Sequence, residues 1–222
     1  MGISYLPNGE SWSEITRDER FYCAELYRVS KLKNEHLGTL VSLINDKCQL
    51  EKKLPVDENW EMGFEVCFYR DILHRKGVSI KKHKANCTYK NHKGEQVPIK
   101  RLPFKRTFDI CLFHHNYLVI IEAKAAEGFK NKQLDDFRAD IALFKSESKT
   151  LFGDNVPEVL FIGLHSSKYS PKSDTLEVFE LDDFNSKNQT ITWCHLDKIF
   201  GSFTDLFRQA DGLYPSKSEP NC

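Results

Sequence analysis

The chain predicts an α/β sandwich, a mixed β-sheet flanked by helices, and three features carry that expectation. Two apolar runs joined by a turn occupy residues 107–124, amphipathic segments of helical period stand on both sides of them, and a further apolar run, EVLFIGL, fills 158–164. With 222 residues, 40% of them hydrophobic, the chain can bury one substantial core. The expected division is an N-terminal helical extension over 1–56, a core over 57–214, and a disordered tail over 215–222.

The elements follow in order. Thr16-Arg17-Asp18-Glu19 has capping-box spacing, and Phe21, Tyr22, Leu26 and Val29 continue at helical intervals, which predicts a helix over 17–33. A second helix is expected through Leu37, Leu40, Val41, Leu43, Ile44 and Leu50, ending before Pro55. Its role with the first could be a small bundle, a dimer contact or a DNA-facing accessory. Trp60, Phe64, Phe68 and Ile72 lie about one turn apart, so residues 57–75 are expected to form the next helix, with Gly77 as its stop. From Val78 to Ile99 short β-prone pieces flank Asn91-His92-Lys93-Gly94, the pattern of a hairpin with a polar turn. Residues 107–124, TFDICLFHHNYLVIIEAK, predict a second hairpin turning near His115-Asn116, and its second run is apolar enough to be buried on both faces. NKQLDDFRADIALFKS, 131–146, reads as a helix with Leu134, Phe137, Ile141 and Phe144 on one stripe. A strand over 158–164, a polar stretch over 166–190, and a short strand with a last helix over Trp193 to Phe207 complete the order.

Composition excludes several classes of function. No apolar run approaches the roughly 20 residues of a membrane span, and residues 1–15 lack a basic start with an apolar stretch, so a cytoplasmic protein with no membrane partner is expected. The seven cysteines are odd in number and include no C-x-x-C pair, which suggests reduced thiols, mostly core fillers. Neither a Gly-rich phosphate loop nor a G-x-S-x-G elbow occurs, which argues against nucleotide hydrolysis and serine hydrolase chemistry. The zero net charge conceals an asymmetry: residues 75–106 hold eleven Lys/Arg against Glu95 alone, so that segment is +10 and the remainder −10. Clustered cations of this kind suit a polyanion, since they release its counterions on binding; a Lys-rich pair of edge strands is the plainer account. His83, Cys87 and His92 lack an evident fourth zinc ligand and fit solvent-exposed hairpin positions better.

Chemistry concentrates where the central hairpin ends. Asp109 lies in the first of its strands, while Glu122 and Lys124 finish the second, an apolar run with no packing reason to end in charges. Side-chain alternation puts Glu122 and Lys124 on one face, and the hairpin can bring Asp109 beside them. Two carboxylates with an open Ala123 carbonyl make a hard oxygen site suited to Mg²⁺. Lys124 could hold or help deprotonate an attacking water, or offset developing phosphate charge.

Phe108-Asp109, a gap of twelve residues, and Glu122-Ala123-Lys124 closing an apolar strand resemble the PD-(D/E)XK nuclease superfamily of restriction endonucleases and related DNA-processing enzymes. The resemblance covers roughly residues 57–165 and departs from the pattern at Phe108, where a Pro is usual. It implies a restriction-endonuclease-like αβββαβ core with a central mixed sheet and an N-terminal helical extension. It further implies Mg²⁺-dependent hydrolysis of DNA phosphodiester bonds, with Mn²⁺ a possible substitute, Asp109, Glu122 and Ala123 as metal ligands, and Lys124 as the catalytic lysine. Members often add an acid from the helix before the sheet, for which Glu65 is preferred to Glu61, and a Gln on the helix after the lysine strand, here Gln133. Lys81, Lys82, Lys84, Lys90, Lys93, Lys100, Arg101, Lys105 and Arg106 are expected to meet DNA phosphates. The expected protein is a type II restriction-type endonuclease, with a second copy in a homodimer and a cognate methyltransferase as the expected partners. A structure-specific repair or defence nuclease, and a non-catalytic binding protein of the same fold, are the alternatives.

Overall fold

The computed structural model describes residues 16–79, 81–179, 184 and 189–215. Residues 1–15 and, apart from Pro215, the expected tail lie outside the described residues, as does part of the polar stretch 166–190.

Two helices open the described chain, α1 (Glu19–Leu32) and α2 (Glu35–Lys47). Asp18 caps α1 by accepting from the Arg20 N–H at 3.0 Å, while Thr16 accepts from the Asp18 N–H and receives the Tyr22 hydroxyl on its carbonyl. The cap thus sits two residues later than the Thr16 capping box predicts. The next segment corrects the sequence reading. The helix expected over 57–75 is instead strand β1 (Glu61–Val66) followed by a shorter helix α3 (Phe68–Arg75). A four-residue apolar spacing satisfies a strand as well as a helix, because Trp60, Met62 and Phe64 also alternate at period two. Antiparallel pairing with the edge of the central hairpin decides between the two.

The polar-turn hairpin forms as β2 (Cys87–Lys90) and β3 (Gln96–Ile99), turning through Gly94 at φ +80°. It makes a two-stranded sheet of its own. The chain continues through β4 (Phe108–Phe113), β5 (Tyr117–Ala123), α4 (Asn131–Ser146), α5 (Ser148–Phe152) and β6 (Glu158–His165). It then runs through α6 (Ser173–Phe179), β7 (Thr190–Thr192), α7 (Trp193–Phe200) and α8 (Leu206–Gly212). The five-stranded central sheet has the order β1-β4-β5-β6-β7. Its first two pairings are antiparallel and its last two parallel, so the sheet is mixed.

Strand alternation distributes the apolar side chains between two layers. Ile110, Leu112, Val119, Ile121, Leu160 and Ile162 pack against α1, α2, α7 and α8. Cys111, Leu118, Ile120 and Phe161 pack against α3, α4 and α6. The helices expected as an N-terminal extension therefore belong to the same apolar layer as the sheet. None of the described helices is long and apolar enough to cross a membrane. Among the described residues no two cysteines form a disulfide, and Cys23, Cys48 and Cys111 are buried.

Gly163 on β6 stands directly beside Glu122 of β5. A Cβ there would meet the Phe179 and Phe129 rings at 3.0 and 3.1 Å. Gly163→Ala is therefore expected to lower stability by about 1–3 kcal/mol through overpacking, read as a reduced urea midpoint. An unchanged midpoint would mean that α6 yields at no cost.

Candidate active site

The β4–β5 register ends at Ile110↔Ile121, so Asp109 and Glu122 are the next residues along the two strands and lie level with one another. Here the Asp109 side chain takes over the strand's bonding: its Oδ2 accepts from the Ala123 backbone N–H at 2.8 Å. On the other side of β4, the pairs Phe64↔Ile110 and Val66↔Phe108 bring Glu65 level with Asp109. Glu65 has φ +52°, a left-handed conformation that costs a non-glycine residue about 1 kcal/mol or more and that concentrates at functional sites. The acid expected on a helix thus sits on a strand, and its carboxylate pairs with Arg20 of α1 at 3.2 Å.

Lys124 follows β5 and is fixed at both ends of its backbone. Its N–H donates to the Leu164 carbonyl at 2.7 Å, and its carbonyl accepts from the Trp193 indole N–H at 2.9 Å. Its ammonium lies 2.6 Å from Glu19 Oε1, at the first turn of α1. Glu122 turns toward the opposite layer, where its Oε2 is 3.8 Å from Arg106 Nη2. Arg106 in turn pairs with Asp140 of α4 at 2.9 Å, and the other Asp140 oxygen accepts from the Tyr69 hydroxyl at 2.8 Å. Glu122 and Lys124 therefore take partners from different layers, rather than projecting together as strand alternation alone suggests, and they converge only at the end of the sheet. Both are nearly inaccessible, with 6% and 4% of their surface exposed, and Ala123, whose carbonyl the sequence reading leaves open, has 0% exposed. The rim is closed.

The electrostatics bind these groups into one cluster. Burial pushes the Glu122 carboxyl up to about 8, and Asp109 adds to the rise while Arg106 and Lys124 oppose it. Burial also raises Asp109; the Ala123 N–H and Lys124 pull it back, whereas Glu19 and Glu65 push it further up. For Lys124 burial works against the charge, yet Glu19, Glu122 and Asp109 outweigh it and hold the ammonium above its ordinary value. Cys23, one turn beyond Glu19, is raised well above the usual thiol range by burial and by the same carboxylates, Asp109 first among them.

Glu19 is the member sequence reasoning missed. Its signal was present but absorbed: Glu19 completes an apparent capping box, and only once residues 61–66 are a strand do α1 and α2 become the helices that precede the sheet. Gln133 sits near the start of α4, where its Oε1 accepts from the Lys130 N–H at 3.3 Å and so caps the helix. Of the nine expected phosphate contacts, Lys81, Lys82, Lys84, Lys90, Lys93, Lys100, Arg101 and Lys105 are exposed. Arg106 instead points inward, to Asp140 and Glu122. His83 pairs with Glu147 and His92 with Asp135, each with a carboxylate of its own. His114 lies 4.8 Å from the Trp60 ring with the planes tilted by 35°, at the far end of β5 from Glu122. Among the described residues, no group of three or more His, Cys, Asp or Glu side chains is arranged to hold a metal ion.

No family model, curated protein or solved structure matches this chain.

Proposed function

We propose that the chain is a Mg²⁺-dependent DNA endonuclease of restriction-enzyme type, with Asp109, Glu122 and Lys124 at its centre and Glu19 and Glu65 beside them. The observation that carries the reading is the meeting of these groups at the carboxyl end of β5, two mutually repelling carboxylates around a buried ammonium. With α2, α3, α5 and the separate β2–β3 hairpin set aside as insertions, the order α1, β1, β4, β5, α4, β6, with β6 parallel to β5, supports an αβββαβ core.

The donor chemistry fits a hard divalent cation. Glu122 Oε2 is buried with no hydrogen-bond partner, and burial with repulsion disfavours charge on both carboxyls, a penalty that a cation removes. Asp109 and Glu122 would hold it. The chemistry a bound Mg²⁺ supplies is stabilisation of phosphoryl charge and easier ionisation of water. The chain's own residues do the rest. Lys124 is held charged by Glu19, so its part is to offset developing negative charge rather than to take a proton. Asp109 is oriented by the Ala123 N–H, and Arg106 fixes Glu122 from the other layer. Cutting both strands of a duplex requires two such sites, which a homodimer supplies.

Supercoiled plasmid incubated with protein and Mg²⁺ tests the proposal. Wild type should nick or linearise it, and Lys124→Ala and Asp109→Ala should each lose at least about 10²-fold in rate. If the wild type binds DNA and leaves it intact at every divalent ion tried, the fold serves binding alone.

A further inference from the structure

We infer that the β2–β3 ribbon is a reader of the duplex DNA major groove, with Asn86, Thr88 and Gln96 facing base edges and Lys84, Lys90 and Lys100 facing the flanking phosphates. The inference rests on the nuclease proposal for the identity of the partner.

Alternation gives the ribbon two unlike faces. Cys87, Tyr89, Val97 and Ile99 are half-buried toward the rest of the protein, whereas Thr88, Lys90, Gln96 and Pro98 are exposed. Lys84, Asn86 and Lys100 continue the exposed face. Thr88 pairs with Pro98 and Lys90 with Gln96, so polar side chains line both strands of one surface. Apart from Pro98, no apolar side chain lies on it. Glu95, the single acid within the ribbon, is engaged by the Asn91 amide at 2.9 Å. This face is therefore cationic at its margins and amide- or hydroxyl-bearing between them.

That composition selects among polyanions. A lipid surface calls for lysines with large apolar side chains to insert, and this face offers only Pro98. A B-form major groove, about 12 Å wide, admits a two-stranded ribbon, and amide side chains can match its donor and acceptor pattern, with Asn or Gln to adenine the favoured pair. The A-form major groove of duplex RNA is too narrow for such readout.

The ribbon is also held rigidly. At its turn His92 meets Asp135 of α4 through both its backbone N–H, at 2.7 Å, and its ring, at 2.6 Å. At its other end His83 meets Glu147 at 3.0 Å. Arg106, a short segment beyond β3, ends on Glu122 and Asp140. The ribbon is thereby tied to the same helix, α4, whose Asp140 holds Arg106 beside the carboxylate cluster.

Binding without cleavage tests the ribbon apart from the chemistry. Full-length protein in EDTA is titrated by fluorescence anisotropy onto a random-sequence duplex DNA, a duplex RNA of equal length, and phosphatidylserine-containing vesicles. Wild type should prefer the DNA. The triple variant Lys84→Gln/Lys90→Gln/Lys100→Gln should bind it about 30-fold more weakly at ~0.1 M salt, with the slope of log K on log salt reduced by about 3. Selection from a random duplex library should enrich a motif with wild type. Gln96→Ala should lose at least about 5-fold of the preference for that motif over the unselected pool. Equal binding by the triple variant, equal or tighter binding of RNA or vesicles, or a Gln96→Ala motif identical to wild type overturns the assignment. Ribbon-dependent binding with no plasmid cleavage under Mg²⁺ would sink the nuclease proposal alone. Cleavage with ribbon-independent binding would sink the ribbon alone.

Discussion

Replacing Glu122 by Gln should reduce DNA cleavage by about 10³-fold while leaving the fold more stable than wild type above pH 8, an opposition of effects that ordinary core damage does not produce. The reason lies in what burial does to this carboxyl. It is raised to about 8 by desolvation and by Asp109, against about 4.3 in an unfolded chain. Between those values the folded state binds the proton that the unfolded state has lost, so stability falls as pH rises. Below about pH 4.3 the carboxyl is neutral in both states and contributes no difference; above about 8 the penalty is complete. At about 1.4 kcal/mol for each pH step between the two values, the full penalty is on the order of a few kcal/mol. Glutamine carries no charge and escapes it, while Arg106 keeps its closer partner Asp140. Urea denaturation at pH 5 and pH 9 should thus show the two proteins nearly equal in acid and the variant ahead in alkali. Mg²⁺ at pH 9 should raise the wild-type midpoint and leave that of Glu122→Gln unmoved. A variant weaker than wild type at pH 9 would mean that the carboxylate is held by net favourable contacts, and the cation-hungry site would be lost with it.

How much of this was legible beforehand follows from what each signal measures. The β4–β5 hairpin and α4 were readable because long apolar runs with a polar turn, or four stripe residues in sixteen, admit one periodicity. Residues 57–75 were not, since Trp60, Phe64, Phe68 and Ile72 satisfy a helix and a strand alike, and only the cross-strand partner Ile110 of Phe64 distinguishes them. The same ambiguity hid Glu19. A helix expected before the sheet at 57–75 makes Glu65 the natural auxiliary acid, and Glu65 does reach the cluster, but from a strand and with a strained backbone. Asp109, Glu122 and Lys124 were legible as charges ending an apolar strand. Their partners were not, because Lys124 to Glu19 spans 105 residues and Tyr69 to Asp140 spans 71. Arg106 shows the limit of charge counting: it belongs to the basic segment by sequence and to the buried network by structure.

That buried network yields the second large effect. Asp140, 1% exposed, accepts from Tyr69 with one oxygen and from Arg106 with the other. Asp140→Ala should destabilise the protein by about 3–5 kcal/mol, because it strands a buried guanidinium and a buried hydroxyl together. Tyr69→Phe should cost only about 1 kcal/mol, and adding it to Asp140→Ala should cost almost nothing more, since the hydroxyl has already lost its acceptor. The network also sets the ionisation of the site. Asp140 raises the Glu122 carboxyl and Arg106 lowers it, so Asp140→Asn removes the first influence and releases the second. Glu122 should then ionise at lower pH, and the acid limb of the cleavage profile should move down with it, even at temperatures where the variant is fully folded. Full additivity of the Tyr69 and Asp140 changes would break the network apart as a stability unit. An unmoved acid limb in Asp140→Asn would show that Arg106 braces α4 without governing the charge on Glu122.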